Sequence, residues 1–138
     1  MRTTALIFAL LLLPACAAFE QKTSDADLVE RTVDTPRLLE LMRNRSRPVA
    51  LIDVRSEADF VAGHLPGAIN IPLPRITAGD PRLAEAHTLI VYGDGWTDIL
   101  TPAAAKKLID LKYNNVYAYR GGVELWTQEK REIVTATP

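Results

Sequence analysis

The chain has 138 residues, of which 48% are hydrophobic and 24% are charged, and its formal net charge is −1. This length and composition suit one globular domain with a core of ordinary size. The nearly balanced charge gives no reason to expect binding to nucleic acid or to an anionic membrane surface. A single cysteine excludes an intrachain disulfide, and with only two histidines no Cys/His cluster has the spacing of a zinc site.

Residues 1–18 have the layout of a secretory signal, in which small residues follow an apolar run at 5–13 that is too short to span a bilayer. The small-x-small pattern at 15–17 fits ordinary signal peptidase. Residues 13–16 also resemble a bacterial lipobox, where Cys16 would become the lipidated first residue of the mature protein. We therefore expect an exported bacterial protein, either free in the periplasm or anchored to the membrane through Cys16.

The polar residues 19–31 predict a tether, and a folded domain is expected over residues 32–134. Within it, apolar runs predict strands, and a 3.6-residue periodicity predicts helices. Because strands and helices alternate, we predict a single α/β domain with a central parallel sheet and helices on both faces. In chain order, the predicted elements are strand 32–33, helix 36–44, strand 49–53, helix 56–61, strand 68–71, a loop with one helical turn at 74–82, strand 88–92, a helix through 102–111, strand 116–119 and helix 123–129.

Local signals mark where these helices begin. Thr35 and Thr101 each precede a proline, which predicts two N-caps with proline at the first helical position. Ser56 and Asp59 have the spacing of a capping box. In an open parallel sheet a ligand site is expected at the carboxyl ends of the central strands. The loop after strand 88–92 is therefore the predicted site.

Two motifs in the chain together resemble the rhodanese (sulfurtransferase) family. The first is Asp53-Val54-Arg55 followed by Gly63-His64-Leu65-Pro66-Gly67-Ala68, and the second is Gly121-Gly122 with Trp126. The resemblance covers about residues 32–134. It implies structural roles for the motif residues, and their chemistry agrees with this. Asp53 ends a buried strand, and Arg55 can donate hydrogen bonds to it. His64 is expected in a turn, bonded to the backbone, and Trp126 is expected in the core.

The resemblance also implies a nucleophilic cysteine, and this chain lacks one at the expected place. In the family, that cysteine begins the loop after the central strand, where backbone N–H groups and the following helix N-terminus stabilise its thiolate. Counting from the end of the strand assigns the position to Gly93, and counting back from the Ala104-Ala105 helix assigns it to Gly95. Both are glycine, and the only cysteine is Cys16.

The charge of this loop also differs from what an anionic sulfur donor would need. Asp94 and Asp98 are acidic, and no basic residue lies between positions 93 and 105. Each carboxylate would repel a nearby dianion by roughly 1–4 kcal/mol, whereas a helix N-terminus offsets only about 0.3–1 kcal/mol. Asp98 suits a helix cap and Asp94 a turn.

Trp96 and Thr97 complete the loop. We expect Trp96 to fold back over the vacated position; the alternative is that it is exposed as a contact for a partner. Thr97 carries a hydroxyl, but a hydroxyl nucleophile needs an adjacent base, and His64 is the one plausible candidate in the sequence. A cation held by Asp53, Asp94 and Asp98 is not expected, because nothing in the sequence fixes its geometry.

The sequence thus predicts a non-catalytic rhodanese-homology module of the cell envelope, with no cofactor and no metal. It would bind an unidentified protein or small ligand at the degenerate loop. The alternative is a sulfurtransferase-related enzyme that uses a partner's thiol or a different chemistry. The predicted binding residues are Gly93, Asp94, Gly95, Trp96, Thr97 and Asp98.

Overall fold

The structure, a computed structural model, describes residues 31–135. The predicted signal, Cys16 and almost all of the tether lie outside these residues. The elements are α1 (Thr35–Arg43), β1 (Val49–Asp53), α2 (Glu57–Ala62), β2 (Ile69–Asn70), 3₁₀ turns at Leu73–Arg75 and Pro81–Leu83, β3 (Thr88–Tyr92), α3 (Leu100–Asp110), β4 (Val116–Ala118) and α4 (Gly122–Gln128).

The four strands form one sheet in the order β2-β1-β3-β4, and every pairing is parallel. β1 and β3 pair along their whole length, so that Asp53 lies beside Tyr92 at the carboxyl edge. All five residues of β3 are buried, as expected for a central parallel strand covered on both sides. The predicted α/β architecture is therefore confirmed.

Two apolar cores lie on opposite faces of the sheet, because successive strand residues point to opposite sides. Leu51 and Ile90 face a core that includes Leu38 of α1 and Trp126 of α4. Ile52 and Val91 face the other core, which is closed by α3 through Ala104, Ala105 and Leu108. The helices thus cover both faces, as the sequence predicted.

The prediction that Thr35 and Thr101 are N-caps is wrong, because in each case an aspartate shortly before it in the chain caps the helix. Asp34, not Thr35, caps α1, and its side chain accepts a hydrogen bond from the backbone N–H of Arg37 at 2.9 Å. α3 begins at Leu100, and Asp98 supplies the capping carboxylate in place of Thr101. In both cases a carboxylate lies upstream of the threonine and is the stronger acceptor for helix N–H groups.

Smaller differences concern the edges of the fold. The predicted strand 32–33 is reduced to a single bridge between Thr32 and Ala118, and β2 is shorter than the predicted strand 68–71. The loop at 74–82 is flanked by two 3₁₀ turns, where one helical turn was predicted. Among the helices of residues 31–135, none has the length and apolar character needed to cross a membrane.

Candidate functional site

The loop of residues 93–98 leaves the carboxyl end of β3 and leads into α3. Gly93 is buried, and its φ lies outside the left-handed region. The backbone therefore does not require glycine at this position. The available space favours glycine, because a Cβ added to Gly93 would collide with the carboxylate of Asp98 where it now lies and would be 2.9 Å from the hydroxyl of Thr101.

The Asp98 carboxylate is bound at the N-terminus of α3. It accepts hydrogen bonds from the backbone N–H groups of Leu100 (2.8 Å) and Thr101 (3.1 Å), and from the Thr101 hydroxyl (2.6 Å). A side chain at Gly93 would point to the same place. The chain's own anion thus occupies the position where a helix N-terminus would stabilise an anionic group on residue 93.

Gly95, the second position that the sequence left open, points elsewhere. A Cβ there would press against the side chain of Glu124, with the Glu124 Cβ only 3.0 Å away. Of the two glycines, Gly93 is therefore the one whose missing side chain would face the N-terminus of α3.

The first turn of α4 holds the loop from the other side. The N–H of Val123 donates to the carbonyl of Gly93 at 3.1 Å, and the N–H of Glu124 donates to the carbonyl of Asp94 at 2.8 Å. This close approach explains Gly122: its φ is +56°, and a Cβ would come within 2.5 Å of the Gly93 carbonyl oxygen. Gly121, which precedes it, is also buried, against Leu125.

Asp53 and Arg55 form a buried pair beneath the loop. Arg55 Nη2 donates to Asp53 Oδ2 at 2.7 Å and to the carbonyl of Gly63 at 2.7 Å, and Asp53 is fully buried. Burial lowers the pKa of the Arg55 guanidinium, but the hydrogen bond and charge of Asp53 more than offset it and leave that pKa raised. Tyr92 lies beside the pair, where burial first and the charge of Asp53 second raise the pKa of its hydroxyl.

Two arginines reach the loop from outside it, and neither contact was predicted from the sequence. Arg55 Nη1 lies 3.5 Å from Asp94 Oδ1, although that carboxylate is 72% exposed, so the pair contributes little. Arg120 Nη2 donates to the carbonyl of Trp96 at 2.7 Å. Both are contacts between residues distant in sequence, for which the local pattern carries no signal.

His64 lies in the turn after α2, with its ring largely buried. Its Nδ1–H donates to the carbonyl of Phe60 at 2.8 Å, and the two rings stack with centroids 3.8 Å apart. Through these contacts the His64 ring is held within the turn by backbone bonding and stacking. Trp126 is also buried, and its indole N–H donates to the carbonyl of Glu132 at 2.7 Å.

The expectation that Trp96 folds back over the vacated position is wrong. Trp96 is 55% exposed, and Ile99 in the same connection is 77% exposed. Asp98, a smaller and charged side chain, already occupies that position. Thr97, between them in sequence, is exposed as well. Over residues 31–135, no group of three His, Cys, Asp or Glu side chains could hold a metal ion.

Fold and site together define a parallel α/β domain whose candidate site is the loop between β3 and α3. The sequence profile described as the rhodanese-like domain matches residues 35–129. The chain therefore belongs to the rhodanese-like domain family.

Individual relatives show the same likeness. The chain is 33% identical over 82 residues to the HTH-type transcriptional regulator Rv0324 of Mycobacterium tuberculosis. The matched segment covers 59% of this chain and 36% of the regulator. It is 32% identical over 84 residues to the thiosulfate sulfurtransferase GlpE of Pseudomonas entomophila, covering 59% and 73% of the two chains. The crystal structure of the BH2092 protein from Bacillus halodurans superposes with a TM-score of 0.69, at 26% identity and 78% coverage of each chain. The chain thus spans little more than a third of the mycobacterial regulator.

Proposed function

We propose that this domain is a non-catalytic member of the rhodanese-like family that binds a partner through the loop of residues 93–98. One observation carries the proposal. The Asp98 carboxylate occupies the place at the N-terminus of α3 to which a side chain on residue 93 would point. A persulfide-carrying cysteine would need this place for its thiolate, and here it holds a fixed negative charge.

The exposed side chains of the loop support a binding role. Trp96 and Ile99 both present apolar surface to solvent. Tryptophan is enriched among residues that dominate binding energy at protein interfaces. The backbone beneath Trp96 is fixed by Arg120 and by the first turn of α4, so little conformational freedom would be lost on binding.

Two measurements test the proposal. Purified protein carrying Cys16→Ser should transfer no sulfur from thiosulfate to cyanide above background. Affinity capture from an envelope fraction should recover a partner with wild-type protein, and Trp96→Ala should reduce that recovery. Val134→Ala, which shortens a partly exposed apolar side chain outside the loop, is the matched control. Robust sulfur transfer, or capture unaffected by Trp96→Ala, would contradict the proposal.

An envelope location forms part of the same proposal and rests on the signal-like residues 1–18 and the lipobox-like sequence at Cys16. If Cys16 is lipidated, the protein partitions into detergent, and Cys16→Ser abolishes that partitioning or blocks processing. A soluble periplasmic product that begins after Cys16 would indicate ordinary cleavage.

A second candidate is sulfur transfer that uses a partner's thiol, and the likeness to a protein named thiosulfate sulfurtransferase favours it. Under this alternative, the domain alone would be inactive and would gain activity when the captured partner is added. The same Trp96→Ala variant would then lose the partner-dependent activity.

A further inference from the structure

The edge of the sheet opposite the loop carries a concave surface. It lies where α1 ends and where β3 and β4 begin, and it encloses about 450 Å³. This volume is in the range of small-molecule sites, roughly 300–1,000 Å³. We call it the basic cleft; its main lining residues are Arg37, Arg43, Arg47, His87, Asn115 and Tyr117.

The basic cleft has an excess of positive charge. Glu40 is the one carboxylate among its lining residues, and it is already bound to Arg37 Nη1 at 2.6 Å. Arg43 and Arg47 are exposed, and neither forms an ion pair with any residue in the part of the chain that the structure describes. Two guanidinium groups in the cleft are therefore available to a ligand.

Neutral polar groups lie beside these cations. The Asn115 side-chain amide donates to the carbonyl of His87 at 3.0 Å, which fixes it at the wall of the cleft. The Tyr117 hydroxyl is a further donor, and its ring is partly buried. Leu41 is the one aliphatic side chain lining the cleft. The surface is thus suited to a small, polar and negatively charged ligand, and not to an apolar one.

We propose that the basic cleft binds a soluble phosphate-containing anion that carries at least two negative charges. Arg43 and Arg47 would each present a planar fork of N–H donors, a geometry that matches phosphate oxygens. The loop edge of the sheet is less suited to this purpose. Asp94, Asp98 and Glu124 lie there, and Arg55, one of the two arginines that reach the loop, is already paired with Asp53. The site is independent of the partner-binding loop and of whether that loop is catalytic.

Titration of the protein with inorganic pyrophosphate at constant ionic strength tests this site. We expect saturable binding, with NMR shift changes concentrated at the amides of Asn115 and Tyr117. The double variant Arg43→Gln/Arg47→Gln should bind at least about tenfold more weakly, since it removes both charge-assisted contacts. The matched control Arg75→Gln/Lys130→Gln removes the same charge from exposed positions elsewhere, and its affinity should stay within about twofold of wild type.

Three results would overturn the proposal. The first is no saturable binding of pyrophosphate to the wild-type protein. The second is equal weakening by both double variants, which would show a response to net charge and no specific site. The third is binding to vesicles that contain anionic lipid without any binding of pyrophosphate, which would assign the basic face to a membrane surface. The shift changes in the wild-type protein are informative even if a variant fails to fold.

Discussion

The carboxylate of Asp98 and the hydrogen of Gly93 face each other at the N-terminus of α3, so closely that a side chain at residue 93 would have to displace Asp98. This relationship links the absence of a nucleophile to the stability of the loop. Asp98 neutralises the helix N-terminus, and Gly93 leaves it the space to do so.

Restoring a cysteine at position 93 should therefore depend on residue 98. In a Cys16→Ser background, Gly93→Cys/Asp98→Ala should place a thiol at the N-terminus of α3, where the helix lowers its pKa. We expect it to react with iodoacetamide at pH 7 roughly tenfold faster than an unperturbed thiol. Alkylation rates measured across pH would check this.

Gly93→Cys alone is the control for that experiment. The new side chain must displace Asp98 and break its capping bonds, which should cost at least about 1–2 kcal/mol. The remaining carboxylate should also raise the thiol pKa and slow alkylation. Equal reactivity of the single and double variants would show that Asp98 does not control this position.

Trp96→Ala should leave the fold intact. Because more than half of Trp96 is exposed, we expect the free energy of unfolding to fall by no more than about 1–2 kcal/mol. Trp126→Ala is the contrasting variant, since Trp126 is buried and its loss should cost roughly 3–5 kcal/mol. Urea unfolding of both variants measures these changes in the free energy of unfolding. A large loss of stability in Trp96→Ala would contradict the prediction and indicate that Trp96 covers the position beside Gly93.

Arg55→Met should be strongly destabilising. It leaves the fully buried Asp53 without its ion-pair partner, and breaking such a pair typically costs about 3–5 kcal/mol. Adding Asp53→Asn to Arg55→Met should recover part of the loss because the uncompensated charge disappears. Guanidinium unfolding of the three variants provides the measurement; a double variant less stable than Arg55→Met would argue against charge burial as the cause.

Asp80 should contribute to acid sensitivity. Its pKa lies below the ordinary value, first because Arg82 donates hydrogen bonds to it. A lowered pKa stabilises the folded state fully above the unfolded pKa of about 4, and this contribution is lost as pH falls through the folded pKa. Asp80→Asn should therefore lose less stability than wild type when pH falls below about 4. Urea unfolding over a pH series would show this, and identical pH profiles would exclude the effect.

Sequence patterns were sufficient to predict the sheet, because β1 and β3 are continuous apolar runs and the helices between the strands repeat apolar residues with the helical period. The predicted capping roles of Ser56 and Asp98 are confirmed, whereas those of Thr35 and Thr101 are wrong. Thr35 instead makes a 2.9 Å hydrogen bond with the hydroxyl of Tyr119. A residue 84 positions away decided its role, and no local signal reports such a contact. The exposure of Trp96 escaped prediction for a similar reason, since it depends on Asp98, Arg120 and the first turn of α4.

The loop also joins two helices that are remote in sequence. Asp98 accepts from the first N–H groups of α3, while the carbonyls of Gly93 and Asp94 accept from those of α4. Local opening of the loop would expose the backbone N–H groups at the start of α3 and at the start of α4 at the same time. Amide hydrogen exchange at Leu100, Thr101, Val123 and Glu124 should then share one opening free energy, which makes the loop and the two helix starts a single cooperative unit of the native state.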